Sequence, residues 1–426
     1  MKVVHVSTSD MGGAGIAAKR IHLGLLELGV SSEFLTLYRH GESIPNHHIY
    51  EETIAQGILS KITGRIRKSL KYRAPFLFKN YQKFLLNKPP GYDHFSFPYA
   101  EARLRKSRLI READVIHLHW VADGMLDYLH FFKRLKKPVV WTLHDMNPFT
   151  GGCHHSDGSM EFITNCLDCI QIKGTLREDI AARNLEVKIR SMKNLGAEQV
   201  RIVTPSAWLG DLSGKSRLFK NYRHNVIPNP VDEKLFVPGN RSSIRQKLQI
   251  QEHTKVILFV ANDVTNPRKG LEVLVQAINA LPQEDLLVCT VGRKLPDDIV
   301  NKGMRQFGFV NGEKEMANLY AMSDVFVLPS KAENFPNSVI EALLCGLPVI
   351  ASRVGGITEQ ITDSNGIMVA PDSAEELKNA LVSILSGKIE FNRTAIREGA
   401  IEKYSFRQLI TQYMKIYNQL ITRGGN

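Results

Sequence analysis

Glu333 and Glu341 stand with seven residues between them in LPSKAENFPNSVIEALLCGLPVIASRVGGI, the stretch from Leu328 to Ile357. Ionised carboxylates accept charge-assisted hydrogen bonds, so two of them suit a ligand carrying paired hydroxyls. Upstream, Arg268 and Lys269 form a cationic pair. Arginine offers a planar fork of donors and lysine a mobile point charge, which together suit a diphosphate. In the first half of the chain the candidates are His119, the pair His144-Asp145 and the turn Gly13-Ala14-Gly15. A further set, Cys153, His154, Cys166 and Cys169, has the residue types of a structural zinc clip. Reduced cytosolic thiols are the other reading of these cysteines.

These residues need elements to hold them. Asp324–Pro329 reads as a buried strand, followed by a helix entered at Pro336 and stopped at Cys345-Gly346, with Gly346 placed for a left-handed cap. Pro348–Ala351 reads as the next strand, and Gly355-Gly356 opens another helix. A loop glutamate at a strand's carboxyl end and a glutamate on the following helix can meet at the crevice where open α/β sheets bind ligands. Arg268-Lys269 falls between a strand over Lys255–Ala261 and a helix over Gly270–Leu281. Cations are the wrong sign for a helix N-terminus, which favours a ligand role for them.

The first half shows the same rhythm. KVVHVST (residues 2–8) is a strand, and the glycine turn leads to a helix over Ile16–Leu28. Gly13-x-Gly15-x-x-Ala18 matches the dinucleotide fingerprint, so an NAD(P)-dependent oxidoreductase stands as the alternative function. Asp114–Trp120 and Lys137–Leu143 are strands that deliver His119 and His144-Asp145 to one edge. His117, on the same face as His119, reads as structural. Gln199–Pro205 is another strand. Strands alternating with helices argue for parallel sheets.

The motif Glu333-x7-Glu341, with Cys345-Gly346-x-Pro348-Val349 and Gly355-Gly356 behind it, resembles the retaining nucleotide-sugar glycosyltransferases of family four, of the type that builds bacterial exopolysaccharide and lipid-linked glycans. The resemblance extends over nearly the whole chain. It implies the GT-B fold: α/β, with two doubly wound Rossmann-like domains facing each other across a cleft. It also implies a retaining hexosyltransferase, moving sugar from a UDP- or GDP-linked donor to a glycan or polyprenyl-linked acceptor. Donor binding is carried over to Arg268, Lys269, Glu333, Asn337, Ser338, Glu341, Gly355 and Gly356, with Glu341 on the ribose and Glu333 on the sugar ring. Catalytic roles go to His119, Glu333 and Lys269, and the acceptor side to Gly13, Ala14, Gly15, His144 and Asp145. Two positions depart from the family pattern. Val264 replaces an arginine, for which Arg268 substitutes, and Asp157-Gly158-Ser159 stands where relatives carry a further cysteine beyond TGGCH.

The resemblance divides the chain into residues 1–206 on the acceptor side, a linker at 207–230 and a nucleotide-sugar domain at 231–404. The apolar stripe of 405–426 would pack back on the first domain. At 426 residues the chain is long enough for two cores. No run reaches the length of a membrane span, and MKVVHVSTSD is already a strand, so a cytoplasmic protein without a signal peptide is expected. The net charge of +12 favours anionic partners; with no nucleic-acid motif, nucleic acid is not expected. Residues 61–92 hold nine Lys/Arg and no Asp/Glu, interleaved with aromatics and leucines. That composition suits peripheral attachment to an anionic membrane surface. No Asp-x-Asp occurs, and no cofactor is expected for catalysis.

Overall fold

The computed structural model describes residues 1–53, 94–172, 179–281, 285–295 and 303–423. The basic segment 61–92 lies outside the described residues. The chain divides into two compact units: residues 1–204, 210–225 and 414–426 form unit 1, and residues 205–209 and 226–413 form unit 2.

Unit 1 is built on a seven-stranded sheet. Its strands are β1 (Lys2–Ser9), β2 (Ser31–Tyr38), β3 (His47–Ile49), β4 (Val115–Leu118), β5 (Val139–Thr142), β6 (Val200–Thr204) and β7 (Arg223–Val226), in the order β3-β2-β1-β4-β5-β6-β7. From β3 through β6 every neighbouring pair is parallel. Chain order reverses between β1 and β4, the switch point where such sheets present their ligand crevice. The helix after β1 spans Gly12–Glu27 and so begins four residues before the position read from sequence. Its residues Ala17, Ala18, Ile21 and Leu25 are fully buried. That packing outweighs the ~1 kcal/mol a glycine costs in a helix, and intrinsic propensity alone does not set the boundary.

Unit 2 repeats the plan with β8 (Lys255–Val260), β9 (Leu286–Val291), β10 (Met304–Gly308), β11 (Val325–Leu328), β12 (Val349–Ser352) and β13 (Gly366–Val369). The order is β10-β9-β8-β11-β12-β13, with every neighbouring pair parallel and the switch point between β8 and β11. Two separate clusters of buried apolar side chains pack within the unit, one including Leu258, Phe326 and Ala351, the other Ile257, Val327 and Ile350. Consecutive residues of one strand thus feed opposite faces, as the pleat requires. Asp324, just before β11, accepts from Arg241, Arg245 and the backbone N–H of Val256. Burial pushes its carboxyl up, but those bonds and the two guanidinium charges hold it below the usual range.

Gly270 closes the turn between β8 and the helix Leu271–Asn279 at φ +72°. A Cβ there would sit 2.0 Å from the carbonyl oxygen of Pro329. Gly270→Ala should destabilise unit 2 by at least ~1–3 kcal/mol, from the left-handed backbone and the clash together. An unchanged urea midpoint would show that the turn relaxes freely.

The sequence reading missed β3, β7, β13 and the helix Arg393–Tyr404, all short or weakly apolar segments. Gly355-Gly356 opens a five-residue 3₁₀ turn, Gly355–Glu359, where a longer helix was expected. Among the described residues no helix is long and apolar enough to cross a membrane.

Candidate active site

In unit 2 the loop after β8 and the loop after β11 meet through side chains. Lys269 Nζ donates to Glu333 Oε1 at 2.5 Å, and Arg268 Nη1 lies 3.3 Å from the same oxygen. Arg268 also donates from Nη1 to the carbonyl of Ala332 at 2.7 Å. The turn is fixed locally, because Asn266 accepts the backbone N–H of Arg268. Glu333 is only 8% exposed, and at such burial a carboxylate needs paired charge. Val264, where the family pattern has an arginine, is 1% exposed and packs in the core. Both cations that remain reach Glu333.

The helix Asn337–Leu344 carries Asn337, Ser338 and Glu341. Its N-terminus lies one residue later than the sequence reading placed it, with Pro336 flanking the first turn, and Gly346 takes φ +67° as expected of the cap. Glu341 is buried and accepts from the Tyr320 hydroxyl at Oε2, 3.0 Å. Asn337 is buried and its Oδ1 accepts from Asn229 Nδ2 at 2.8 Å. Ser338 is half-buried. Gly355 adopts φ +50°, and a Cβ on it would stand 1.9 Å from the carbonyl oxygen of Glu333. The Gly-Gly turn therefore lies directly against the backbone that carries Glu333 and Asn334.

In unit 1, Gly13 is exposed, Ala14 half-buried and Gly15 buried at the start of the helix after β1. His119 is 1% exposed and engages both ring nitrogens: Nε2 lies 3.0 Å from His5 Nδ1, and Nδ1 lies 3.3 Å from His144 Nε2. His144 is half-buried, and it lines a recess with His119, Trp120, Tyr128, Asp145 and Asn147. Burial pushes the His144 imidazole down to about 4, with Asp145 opposing weakly. Asp145 accepts from Trp120 Nε1 at 2.7 Å and from the backbone N–H of Asn147 at 2.9 Å, and its Oδ2 lies 2.6 Å from His154 Nδ1. Burial alone would raise its carboxyl, but the His154 contact and the Asn147 bond bring it down to about 2.

The zinc expectation at Cys153, His154, Cys166 and Cys169 finds no support in these contacts. His154 spends Nδ1 on Asp145 and Nε2 on Ser96 Oγ, 2.8 Å away. All five cysteines are unbridged thiols. The histidine of TGGCH thus serves as a hydrogen-bond partner of Asp145. The one set of three ligand-type atoms that converges among the described residues is His5, His117 and His119. Five of their six ring nitrogens are already paired, His117 with Tyr417 Oη and Thr142 Oγ1 at 2.7 and 2.8 Å.

Sequence reasoning passed over His5, Tyr417 and Lys188. His5 had a visible signal, a polar ring inside the apolar strand KVVHVST; Tyr417 was counted only as part of an apolar stripe. Lys188 is fully buried, donates to the carbonyls of Asn147 and Thr150, and is pushed down to about 8 by burial. It ties down the loop that follows Asp145.

Comparison with known proteins bears on the family and the fold. Residues 11–235 match the family described as Glycosyltransferase Family 4, and residues 254–387 match that described as Glycosyl transferases group 1. WcaC of Escherichia coli, named for colanic acid biosynthesis, is 23% identical over 98% of this chain and 98% of its own. An N-acetyl-alpha-D-glucosaminyl L-malate synthase of Bacillus anthracis is 21% identical over 98% and 96%. Among solved structures, sucrose-phosphate synthase from Thermosynechococcus elongatus superposes with TM-score 0.65 at 18% identity, covering 99% of this chain and 100% of that one. HepE of Anabaena gives 0.61 at 18% identity, over 97% and 99%. These likenesses give the fold as GT-B, and nothing in them supports the oxidoreductase alternative. The glycine turn with which that alternative began lies inside the family match, and the chain belongs to glycosyltransferase family 4.

Proposed function

We propose that this enzyme transfers a hexose-type sugar from a UDP- or GDP-linked donor to a hydroxyl of a glycan or polyprenyl-linked acceptor, with retention of configuration. The observation that carries the reading is the ion cluster of Lys269, Arg268 and Glu333 at the switch point of unit 2. Lys269 has three N–H donors and gives one to Glu333, so it can serve a diphosphate while staying bonded to the carboxylate. Charge develops on the departing diphosphate during transfer. The two cations and the backbone amides at Gly355-Gly356 would stabilise it without reorganising. Glu341, with Tyr320 on one oxygen, would take ribose hydroxyls, and Glu333 those of the sugar ring. Asn337 and Ser338, in the first helical turn, would add amide and side-chain donors. On the acceptor side, Gly13, Ala14 and Gly15 would offer backbone contacts, with His144 and Asp145 at the recess and His119 behind them. A related structure, HepE, is described in complex with UDP-glucose, which supports the donor class. The composition of residues 61–92 supports an anionic bilayer as the surface on which a lipid-linked acceptor is met.

Calorimetric titration with UDP, GDP and NADP, followed by NMR of the anomeric proton of the product formed from the bound donor, tests the reading. Binding of one nucleoside diphosphate and a product with the donor's anomeric configuration are expected. Binding of NADP alone would overturn the donor class, and an inverted product would overturn retention.

A further inference from the structure

Residues 205–209 belong to unit 2, and there they open the helix Ala207–Lys215. The first N–H groups of a helix have no partner within it and need one from outside. Here protein groups claim three of them. Ala207 N–H donates to Glu359 Oε2 at 2.8 Å, and Trp208 N–H donates to Glu359 Oε1 at 2.7 Å. Leu209 N–H donates to Ser206 Oγ at 3.1 Å. The helix dipole also favours a carboxylate at this end.

The same residues bear on the donor loops. Ser206 is fully buried, and its hydroxyl donates at 2.6 Å to Oδ1 of Asn334, the neighbour of Glu333. Glu359 is the last residue of the turn Gly355–Glu359. A Cβ on Gly355 would stand 1.9 Å from the carbonyl oxygen of Glu333 and 3.6 Å from Trp208 Cε3. One on Gly356 would stand 2.1 Å from the carbonyl oxygen of Asn334 and 2.7 Å from Ser206 Cβ. Three segments, 206–209, 333–334 and 355–359, thus close a ring of contacts in which each touches the other two.

We propose that Glu359 is a positioning residue for the donor: it pins Ser206 and Trp208 on the Gly355-Gly356 turn and so fixes that turn against Glu333. This rests on the reading of Glu333 and the Gly-Gly turn as donor-binding groups. It adds that a diphosphate meets the Gly-Gly turn and not the N-terminus of the helix Ala207–Lys215, where the Glu359 carboxylate already holds the anion's place. Loops fixed before a ligand arrives need no ordering when it binds.

The test is backbone amide NMR of ¹⁵N-labelled, deuterated full-length protein without ligand, with urea midpoints and nucleotide titration beside it. In Glu359→Ala the Glu333 and Asn334 amide signals should shift and broaden. Asn392→Ala is the control. It removes the side chain that accepts the Thr394 and Ala395 N–H groups, the cap of another helix in unit 2. It should lower the urea midpoint as Glu359→Ala does, but leave the Glu333 and Asn334 signals in place. Glu359→Gln keeps one acceptor oxygen of the two and should give intermediate shifts. UDP or GDP, whichever the wild type binds, should bind Glu359→Ala roughly 2- to 10-fold more weakly and Asn392→Ala as tightly as wild type. Unchanged Glu333 and Asn334 signals in Glu359→Ala, equal changes in Asn392→Ala, or an unchanged nucleotide affinity in Glu359→Ala would each overturn the proposal. Should Glu359→Ala fail to fold, Glu359→Gln decides on the same signals. The spectra contain no ligand, so they decide the clamp even where wild type binds neither nucleotide, an outcome that would count against the transfer reading alone.

Discussion

Lys269→Met should weaken UDP binding by roughly 10- to 100-fold while unit 2 keeps its fold. A hydrogen bond to a charged group contributes about 1.5–3 kcal/mol, and each 1.4 kcal/mol is tenfold in affinity. A second effect runs in the same direction. Lys269 is 2.5 Å from Glu333, and without it the 8%-exposed carboxylate loses its nearer cation, with Arg268 at 3.3 Å. The less compensated negative charge would then repel the incoming diphosphate. Arg268→Met should cost less, because one guanidinium nitrogen is already committed to the carbonyl of Ala332. Glu333→Gln separates the two roles, since it removes the anion but keeps the lysine. UDP should bind it at least as tightly, while transfer from a full donor falls. Isothermal titration on the three variants decides. An affinity for UDP within twofold of wild type in Lys269→Met would remove the diphosphate from this cluster.

Unit 1 should lose stability steeply as the pH falls below about 6. His5, His117 and His119 are buried at 0–1% exposure, and burial holds all three well below the ordinary histidine value of 6.5. Their neutral forms are native; the unfolded chain takes up protons near 6.5. Below that value the unfolded state binds more protons than the native state, so stability falls with falling pH and is fully present above it. Each group that stays neutral contributes a slope approaching ~1.4 kcal/mol per pH unit, and three together about 4. His144, pushed down to about 4, adds to the slope until that pH is reached. Asp145 acts in the same direction at lower pH, between 3.8 and about 2, as its ionised form is lost. By pH 5 the three groups together remove about 6 kcal/mol, enough to unfold a unit at the lower end of the typical ~5–15 kcal/mol. Urea midpoints at pH 7.5, 6 and 5, followed through Trp120 and Trp141 fluorescence, measure it. Equal midpoints at pH 7.5 and 5 would show that the rings protonate without penalty.

These two expectations draw on different layers of information. The chemistry around Lys269 was legible in the chain because local order creates it. A strand, a cationic turn and a helix recur, then a strand, a glutamate loop and a second helix, and parallel β/α topology forces both loops to the same sheet edge. Residue type and spacing thus determined the fold class, the switch-point loops, the left-handed Gly346 and the buried carboxylates Glu333 and Glu341. That both cations share one carboxylate oxygen was not legible. It depends on side-chain reach across 64 positions of sequence, which no periodicity encodes.

The imidazole chain lies further from the sequence still. His5, His119 and His144 come from three strands or strand ends that are neighbours only in the sheet order β1-β4-β5; the register sets His5 opposite His117 and His117 opposite Val140, so the three rings meet along a diagonal of the sheet. His117 is set by Tyr417, 300 residues away. The cysteine loop shows the converse. Cys153, His154, Cys166 and Cys169 had ligand types at ligand-like spacing, but Asp145 and Ser96 took both nitrogens of His154. The sequence by itself determined which groups were available and which sheet edge they would reach. The tertiary structure decided which polar atom each would face, because a buried polar atom settles on whichever partner lies within about 3 Å of it, wherever in the chain that partner comes from.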